Sequence, residues 1–367
     1  NVAGKRFKFY WQSTDGNGFN GIATLRPDGT IEGIGSPNES TWAIDNGNLI
    51  FKHANGQITT RYVKTSLVEG VLCFEGPFEL RDGITHRLIQ TDRRDFASTY
   101  SISSGEAERV SYSNQTFVYL DPNDEFRFRM RNGKTKTIRL IGVQASTDSV
   151  IGLTRSAKVE VAIDGKRQQL RCAPYVMPSE VDGLRILVDT TTDWIRLPKR
   201  VQLSVWDAAE PIVDTQRFCF PLPNYRLFSL GTQAYNEPVH LGHLDGDPDG
   251  QKFYHNYGVD LAGYEGRQKV LSCIGGVVVR AEHQEGTVCI QDESGFTLVL
   301  GHLDSILSDI KVGTEVRCGQ WVGMLGKRGQ SGNFSHLHVG AYLSEEAMLV
   351  DRMDRNLNIY PWLVEAY

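Results

Sequence analysis

The chain has 367 residues, of which 40% are hydrophobic and 23% charged, and its formal net charge is −5 at pH 7. These values describe a globular protein with room for two or three domains, not a disordered or fibrous chain. The mild acidity excludes the basic footprint of a nucleic-acid binder, and no apolar run approaches the roughly 20 residues that span a bilayer.

Nearly every readable segment alternates apolar and polar residues and is punctuated by Gly, Asn or Asp. That is the pattern of antiparallel sheet, so the expected class is all-β and multidomain. In residues 1–92, Phe7, Phe9 and Trp11 alternate with Lys8 and Tyr10, and turn signals recur at Asp15-Gly16, Asp28-Gly29, Asn46-Gly47 and Asn55-Gly56. The spacing predicts a small β-meander or barrel, a candidate for binding cell wall or glycan. The segment Ser36–Trp42 reads either as an exposed aromatic suited to carbohydrate or, preferably, as a turn leading into a core tryptophan.

Residues 93–230 are expected to form a β-sandwich. Phe126, Phe128 and Met130 alternate with Arg127, Arg129 and Arg131 ahead of Asn132-Gly133, a pair that supplies the positive φ angles of a type I′ hairpin turn. Val159, Val161 and Ile163 precede Asp164-Gly165, and Val201, Leu203 and Val205 alternate with Gln202 and Ser204. The arginine row reads as a solvated sheet face, since alternation alone demands polar residues there. Phe220-Pro221-Leu222-Pro223-Asn224 reads as a linker into residues 231–367.

Six cysteines (Cys73, Cys172, Cys219, Cys273, Cys289 and Cys318) are scattered, and none forms a CxxC pair. Buried thiols, or one or two structural disulfides, are expected ahead of a reactive thiol, and the fifteen possible pairings stay open. The chain begins at Asn1 with neither methionine nor a basic segment leading into an apolar one, so a processed product lacking its targeting segment is expected.

The last region holds seven of the nine histidines: His240, His243, His255, His283, His302, His336 and His338. Gly326–Val339 is a glycine-rich loop followed by His336-Leu337-His338, and on a strand side chains at i and i+2 share a face. Hydrolytic zinc sites use three His or carboxylate ligands and leave a fourth position for water. Suitable parts here are His255, Asp260, His302, His336 and His338. His240-Leu241-Gly242-His243 is a weaker alternative, because a strand-like H-x-x-H does not place both rings on one face. Asp245–Gly250 mimics the start of a calcium loop, but its twelfth position is Asn256 where a bidentate Glu is needed. His283 reads as an exposed turn residue.

These elements resemble, in order, the lysostaphin-type (LytM-like) zinc endopeptidases that cut peptide cross-links in bacterial cell walls. The counterparts are Gly258-Val259-Asp260, Gly276–Ala281, Gly301-His302-Leu303, Val312-Gly313 through Gly323, and Gly329–Gly332 ahead of His336-Leu337-His338. The resemblance covers about residues 255–339. It implies a C-terminal antiparallel-sheet metallopeptidase domain, with Asp260 and His338 binding Zn2+ and His302 and His336 as catalytic histidines. It also implies peptidoglycan or another peptide as substrate and an extracellular or periplasmic location. The family's first ligand stands four residues before the aspartate, where this chain has Asn256. Either a one-residue insertion makes His255 the ligand, or the site has lost one. Because Asn is not a usual zinc donor and loops absorb insertions, His255 is the expected ligand. Leu300 stands where the family commonly has tyrosine, and Tyr254 or Tyr257 is a candidate replacement. The function implied is hydrolysis of peptidoglycan peptide bonds by a metal-activated water. The alternative is a catalytically silent module of the same fold that binds wall or regulates another hydrolase.

Overall fold

The computed structural model describes residues 2–13, 16–34, 36–68, 71–90, 108–109, 113, 115–150, 152–194, 197–223, 233–240, 253–329, 331–343 and 355–367. Among these the regular structure is nearly all antiparallel strand, apart from a 3-10 turn at Pro37–Glu39 and a short C-terminal helix, Tyr360–Ala366. The 92/93 and 230/231 boundaries, the Asp15 turn position, Asn224, His243 and the Asp245–Gly250 segment lie outside the described residues, as does the side chain of His240.

The first strands form a six-stranded sheet with the order Ile31–Glu32, Gly16–Leu25, Arg6–Ser13, Thr85–Gln90, Val71–Pro77, Lys64–Val68, beside a three-stranded sheet over Thr41–Tyr62. Phe7 and Phe9 alternate inward and meet Leu25, Phe51, Tyr62, Phe74 and Leu88 in one core. The meander is therefore present but stays open, and no described sheet closes into a barrel. Trp42 packs against this core, and its indole N–H donates to the Arg26 carbonyl at 2.8 Å. His86 is a core histidine: its Nδ1 lies 2.7 Å from Thr60 Oγ1, and burial lowers its pKa to about 4.

Farther along, a five-stranded sheet (Glu108–Arg109, Thr116–Leu120, Val201–Asp207, Leu184–Thr191, Ser179–Val181) faces a four-stranded one (Glu125–Arg129, Thr135–Thr147, Thr154–Ile163, Lys166–Cys172). Val118, Leu140, Val161, Ile186 and Leu203 lie in the core between them. The arginine row is solvated as expected, with Arg127 and Arg129 exposed between buried phenylalanines. The Asn132-Gly133 turn is not type I′. Only Gly133 has a positive φ, and Met130 and Lys134 close a three-residue loop through the Lys134 carbonyl at 2.8 Å. Both positive φ angles occur instead at the two-residue connections Asn46-Gly47, Asp164-Gly165 and Asp182-Gly183.

The five-stranded sheet is covered on both faces. Gln202 and Ser204, which alternation alone would send to solvent, are fully buried. Their face meets Phe117, Tyr119, Leu187 and Trp206, which are continuous with the core of the last region and with Trp362 of the helix. The proline-flanked "linker" is likewise docked, with Leu222 buried and the Pro221 carbonyl accepting from Leu271 N–H at 2.8 Å. A polar chain crosses this seam. Trp362 Nε1 donates to Gln115 Oε1 (3.0 Å), Gln115 Nε2 to Ser204 Oγ (2.5 Å), and the Ser204 hydroxyl to Asp189 Oδ2 (2.5 Å). Asp189 sits at a bulge opposite Val201–Asp207, which frees its carbonyl to accept from Asn236 Nδ2 at 2.5 Å.

The last region pairs Val259–Ala262, His336–Tyr342, Thr297–Gly301, Thr287–Gln291, Gly276–Glu282 and Glu315–Val316 into a six-stranded sheet. A three-stranded sheet of Lys269–Leu271, Trp321–Leu325 and Leu303–Ile306 lies beside it. Arg280, which stacks over Tyr10 at 5.2 Å and pairs with Glu282 at 2.7 Å, joins this sheet to the first region.

Burial lifts the Asp189 carboxyl from its ordinary 3.8 to about 8, so it is neutral at pH 7. The unfolded chain ionises it near 4 and the folded chain near 8. The associated stability is full below about pH 4 and is lost as pH rises toward 8. Asp189→Asn removes that dependence. Urea unfolding at pH 5 to 8 should show the variant gaining on the parent by at most about 1.4 kcal/mol per pH unit. A gap that stays constant with pH would refute a neutral buried carboxyl.

Candidate metal and catalytic site

The site is built on the pairing of Val259–Ala262 with His336–Tyr342, which sets Asp260 directly opposite His338. Leu337 and Val339 point into the core and are fully buried, so His336 and His338 share the opposite face. Asp260 Oδ1 accepts from His338 Nδ1 at 2.7 Å, and its Oδ2 lies 3.8 Å from His336 Nε2. Gly258 makes the close approach possible, because a Cβ there would lie 2.5 Å from His338 Cε1.

His302 reaches the same place from the end of Thr297–Gly301, where the chain leaves the six-stranded sheet for Leu303–Ile306. The corner is taken at His302 itself, in the left-handed region at φ 65°. Such a conformation is costly for a non-glycine residue and persists where surroundings fix it. Here Leu303 N–H donates to the Gly286 carbonyl (2.8 Å) and His302 Nδ1 to the Arg328 carbonyl (2.7 Å). Its ring stands 4.6 Å from that of His336 and 6.1 Å from that of His338, centroid to centroid. His336 Nδ1 donates to the Phe334 carbonyl at 2.8 Å, and Phe334 stacks on the ring at 4.9 Å. Both histidines thus spend Nδ1–H on a backbone carbonyl, which leaves Nε2 as the basic nitrogen in each.

Burial pushes the Asp260 carboxyl up. The hydrogen bond from His338 and the charges of His338, His336 and His302 outweigh that, so it is held below the usual carboxylate range. Burial, reinforced by the neighbouring His336 and His338, lowers His302 to about 4, and burial lowers His336 as well. The result is an anionic oxygen beside two imidazoles, His302 and His336, that burial disfavours as cations. That combination suits a divalent cation, proton transfer, or both.

The structure brings Asp260, His302, His336 and His338 together and leaves His255 out. His255 Nε2 donates to the Thr154 carbonyl at 3.2 Å and its ring lies against Trp194 at 6.4 Å, both in the sandwich. His338, His336 and His302 are electrostatic neighbours of Asp260. Asn256, four residues before Asp260, is buried, and its Nδ2 has no hydrogen-bond partner among the described residues. No group of three or more His, Cys, Asp or Glu side chains with metal-holding geometry occurs among the described residues. Tyr257 stands edge-on to His338 at 5.6 Å, while Leu300 is buried in the core. His283 is exposed and only its carbonyl is engaged, by Arg328 Nη1 at 3.0 Å. The carbonyls of Arg328 and Phe334 and the contact from Thr154 went unpredicted, since main-chain acceptors leave no mark in a sequence.

A family model described as "Peptidase family M23" matches residues 254–349. Lysostaphin from Staphylococcus simulans is 24% identical over 41% of this chain and 55% of that one, with a TM-score of 0.31. A putative glycyl-glycine endopeptidase lytM from Ruminococcus gnavus is 21% identical over 41% and 60%, with a TM-score of 0.26. A zinc-containing peptidase from Vibrio cholerae is 14% identical over 81% and 83%, with a TM-score of 0.30. The chain thus spans between half and two thirds of the first two solved structures. No curated protein matches it. The matched span contains every residue of the histidine–aspartate cluster, and residues 254–349 are the peptidase family M23 domain of the chain.

Proposed function

We propose that the chain is a zinc-dependent endopeptidase directed at peptides of bacterial peptidoglycan, working outside the cytoplasm. The observation that carries this reading is the convergence on the Asp260–His338 pair of two imidazoles, His302 and His336, whose Nδ1–H groups are each taken by a backbone carbonyl. Asp260 Oδ1 and His338 Nδ1 face each other at 2.7 Å, and they are the two firm donors for a cation. An ion bound there would lower the pKa of a bound water and polarise the scissile carbonyl. His302 and His336 then divide the proton work: one Nε2 takes a proton from the attacking water, and the other hydrogen-bonds the developing oxyanion or protonates the leaving amine. We further assign residues 1–92 and 93–230 to separate β domains that position this unit.

The third ligand position is where the chain departs from this scheme. Asn256 stands there with an unpartnered buried amide, and His255 faces the sandwich. An amide is a poor zinc donor. This observation favours a second reading, a catalytically silent module that binds wall peptides.

Zinc titration with hydrolysis of a peptidoglycan peptide separates the two readings. On the leading reading one zinc binds per chain. It is lost in Asp260→Ala and His338→Ala and kept in His255→Ala. No stoichiometric zinc together with no hydrolysis sinks the enzyme reading in favour of the silent module, whereas unchanged hydrolysis in Asp260→Ala sinks the assignment of this site. His302→Ala or His336→Ala should keep the zinc while kcat falls by roughly 10²–10⁴-fold, the usual worth of a general acid or base. Asn256→His should tighten zinc by at least about tenfold, as ligand-level changes do. An unaltered affinity would show that position 256 lies away from the ion.

A further inference from the structure

Three cysteines outside the histidine cluster meet where the sandwich passes the chain toward the M23 domain. Cys219 N–H donates to the Cys273 carbonyl at 2.9 Å and Leu271 N–H to the Pro221 carbonyl at 2.8 Å, so residues 219–221 run along residues 271–273. Across that segment, Gly319 N–H donates to the Ser272 carbonyl and Ser272 N–H to the Gln320 carbonyl, each at 2.8 Å, which seats the turn carrying Cys318. The side chains then come together. The Cys219 thiol lies 3.3 Å from the Ser272 carbonyl, and the Cys318 thiol 3.2 Å from that of Cys273. The two thiols also act on each other, which pushes the pKa of Cys219 up and that of Cys318 down. Both are half-buried and within reach of a reagent, whereas Cys273 is fully buried.

We propose that Cys219 and Cys318 are a disulfide-forming pair that locks the exit of the sandwich onto the M23 domain when a low-molecular-weight disulfide is present. Cys318, the more acidic thiol, loses its proton and attacks one sulfur of the reagent. A mixed disulfide forms and one thiolate of the reagent leaves. Cys219 then loses its proton and attacks Cys318 Sγ, forming the protein disulfide and expelling the second thiolate. Two protein thiols are oxidised and one reagent disulfide is reduced to two thiols. The bond closes a loop of about 100 residues, and a cross-link restricts the unfolded chain more the longer the loop it closes. The two joined segments already share the Ser272–Cys273 backbone, so the bond fixes a contact the fold makes without it.

The test treats the full reduced chain with oxidised glutathione, blocks remaining thiols with N-ethylmaleimide, and maps non-reduced peptides by mass spectrometry. The expected product is a Cys219–Cys318 cross-linked peptide, with Cys273 unpaired and the melting midpoint raised by roughly 5 °C. Cys273→Ser should still form it, and Cys219→Ser should stop at the glutathione adduct on Cys318. The pairing is overturned if Cys219 and Cys318 both remain alkylatable, if either pairs with Cys273, or if the parent accumulates only glutathione adducts. The cross-link needs no metal and no hydrolysis, so its failure is separate from any failure of the enzymatic reading.

Discussion

The carboxylate of Asp260 lying against the imidazole of His338 is the constraint on which the site rests. A carboxyl this buried is costly as an anion unless hydrogen-bonded and surrounded by compensating groups. Three imidazoles supply that compensation, and each arrives by a different backbone route. Cross-strand register delivers His338, a two-residue step along the same strand delivers His336, and a left-handed corner delivers His302. A slip of one residue would set Asp260 opposite Leu337 or Val339 and turn both histidines into the core. The hydrophobic alternation that stabilises the sheet is therefore also what keeps the polar cluster assembled.

A second polar system holds the larger architecture. The chain from Trp362 through Gln115 and Ser204 to Asp189 runs inside the seam where the five-stranded sheet meets the C-terminal helix. Asn236, which precedes the M23 match at 254–349, hydrogen-bonds the bulge at Asp189 and accepts from Trp194 Nε1. The segment around Asn236 is thus tied to the sandwich by side chains as well as by the backbone.

Much of this was legible in the sequence. Period-two alternation gave the β class, Phe7 and Phe9 pointed to the first core, and His336-Leu337-His338 placed two rings on one face. What failed to show were features set by a second covering layer or by main-chain atoms. Alternation showed the polarity of Gln202 and Ser204 and not what lies above them, so their burial was not legible. Phe220–Pro223 looked like a linker because prolines mark irregular backbone whether it is free or docked. Asn132-Gly133 satisfied the residue preference of a two-residue turn, but the hairpin closed one residue farther out on the N-terminal side, at Met130 in place of Arg131. The choice between His255 and Asn256 depended on which way one side chain leaves a bent strand end, and spacing does not encode that.

The turn at His302 has a consequence for how this molecule is to be altered. Its backbone angle is one that glycine adopts freely and other L-residues resist, so the imidazole is held there against local preference by its neighbours. Glycine would suit the corner and lack the ring; asparagine would tolerate the angle without offering a basic nitrogen. Conformational comfort and chemical competence pull in opposite directions at that one residue, so a redesign guided by thermal tolerance alone would tend to erase the reactive group.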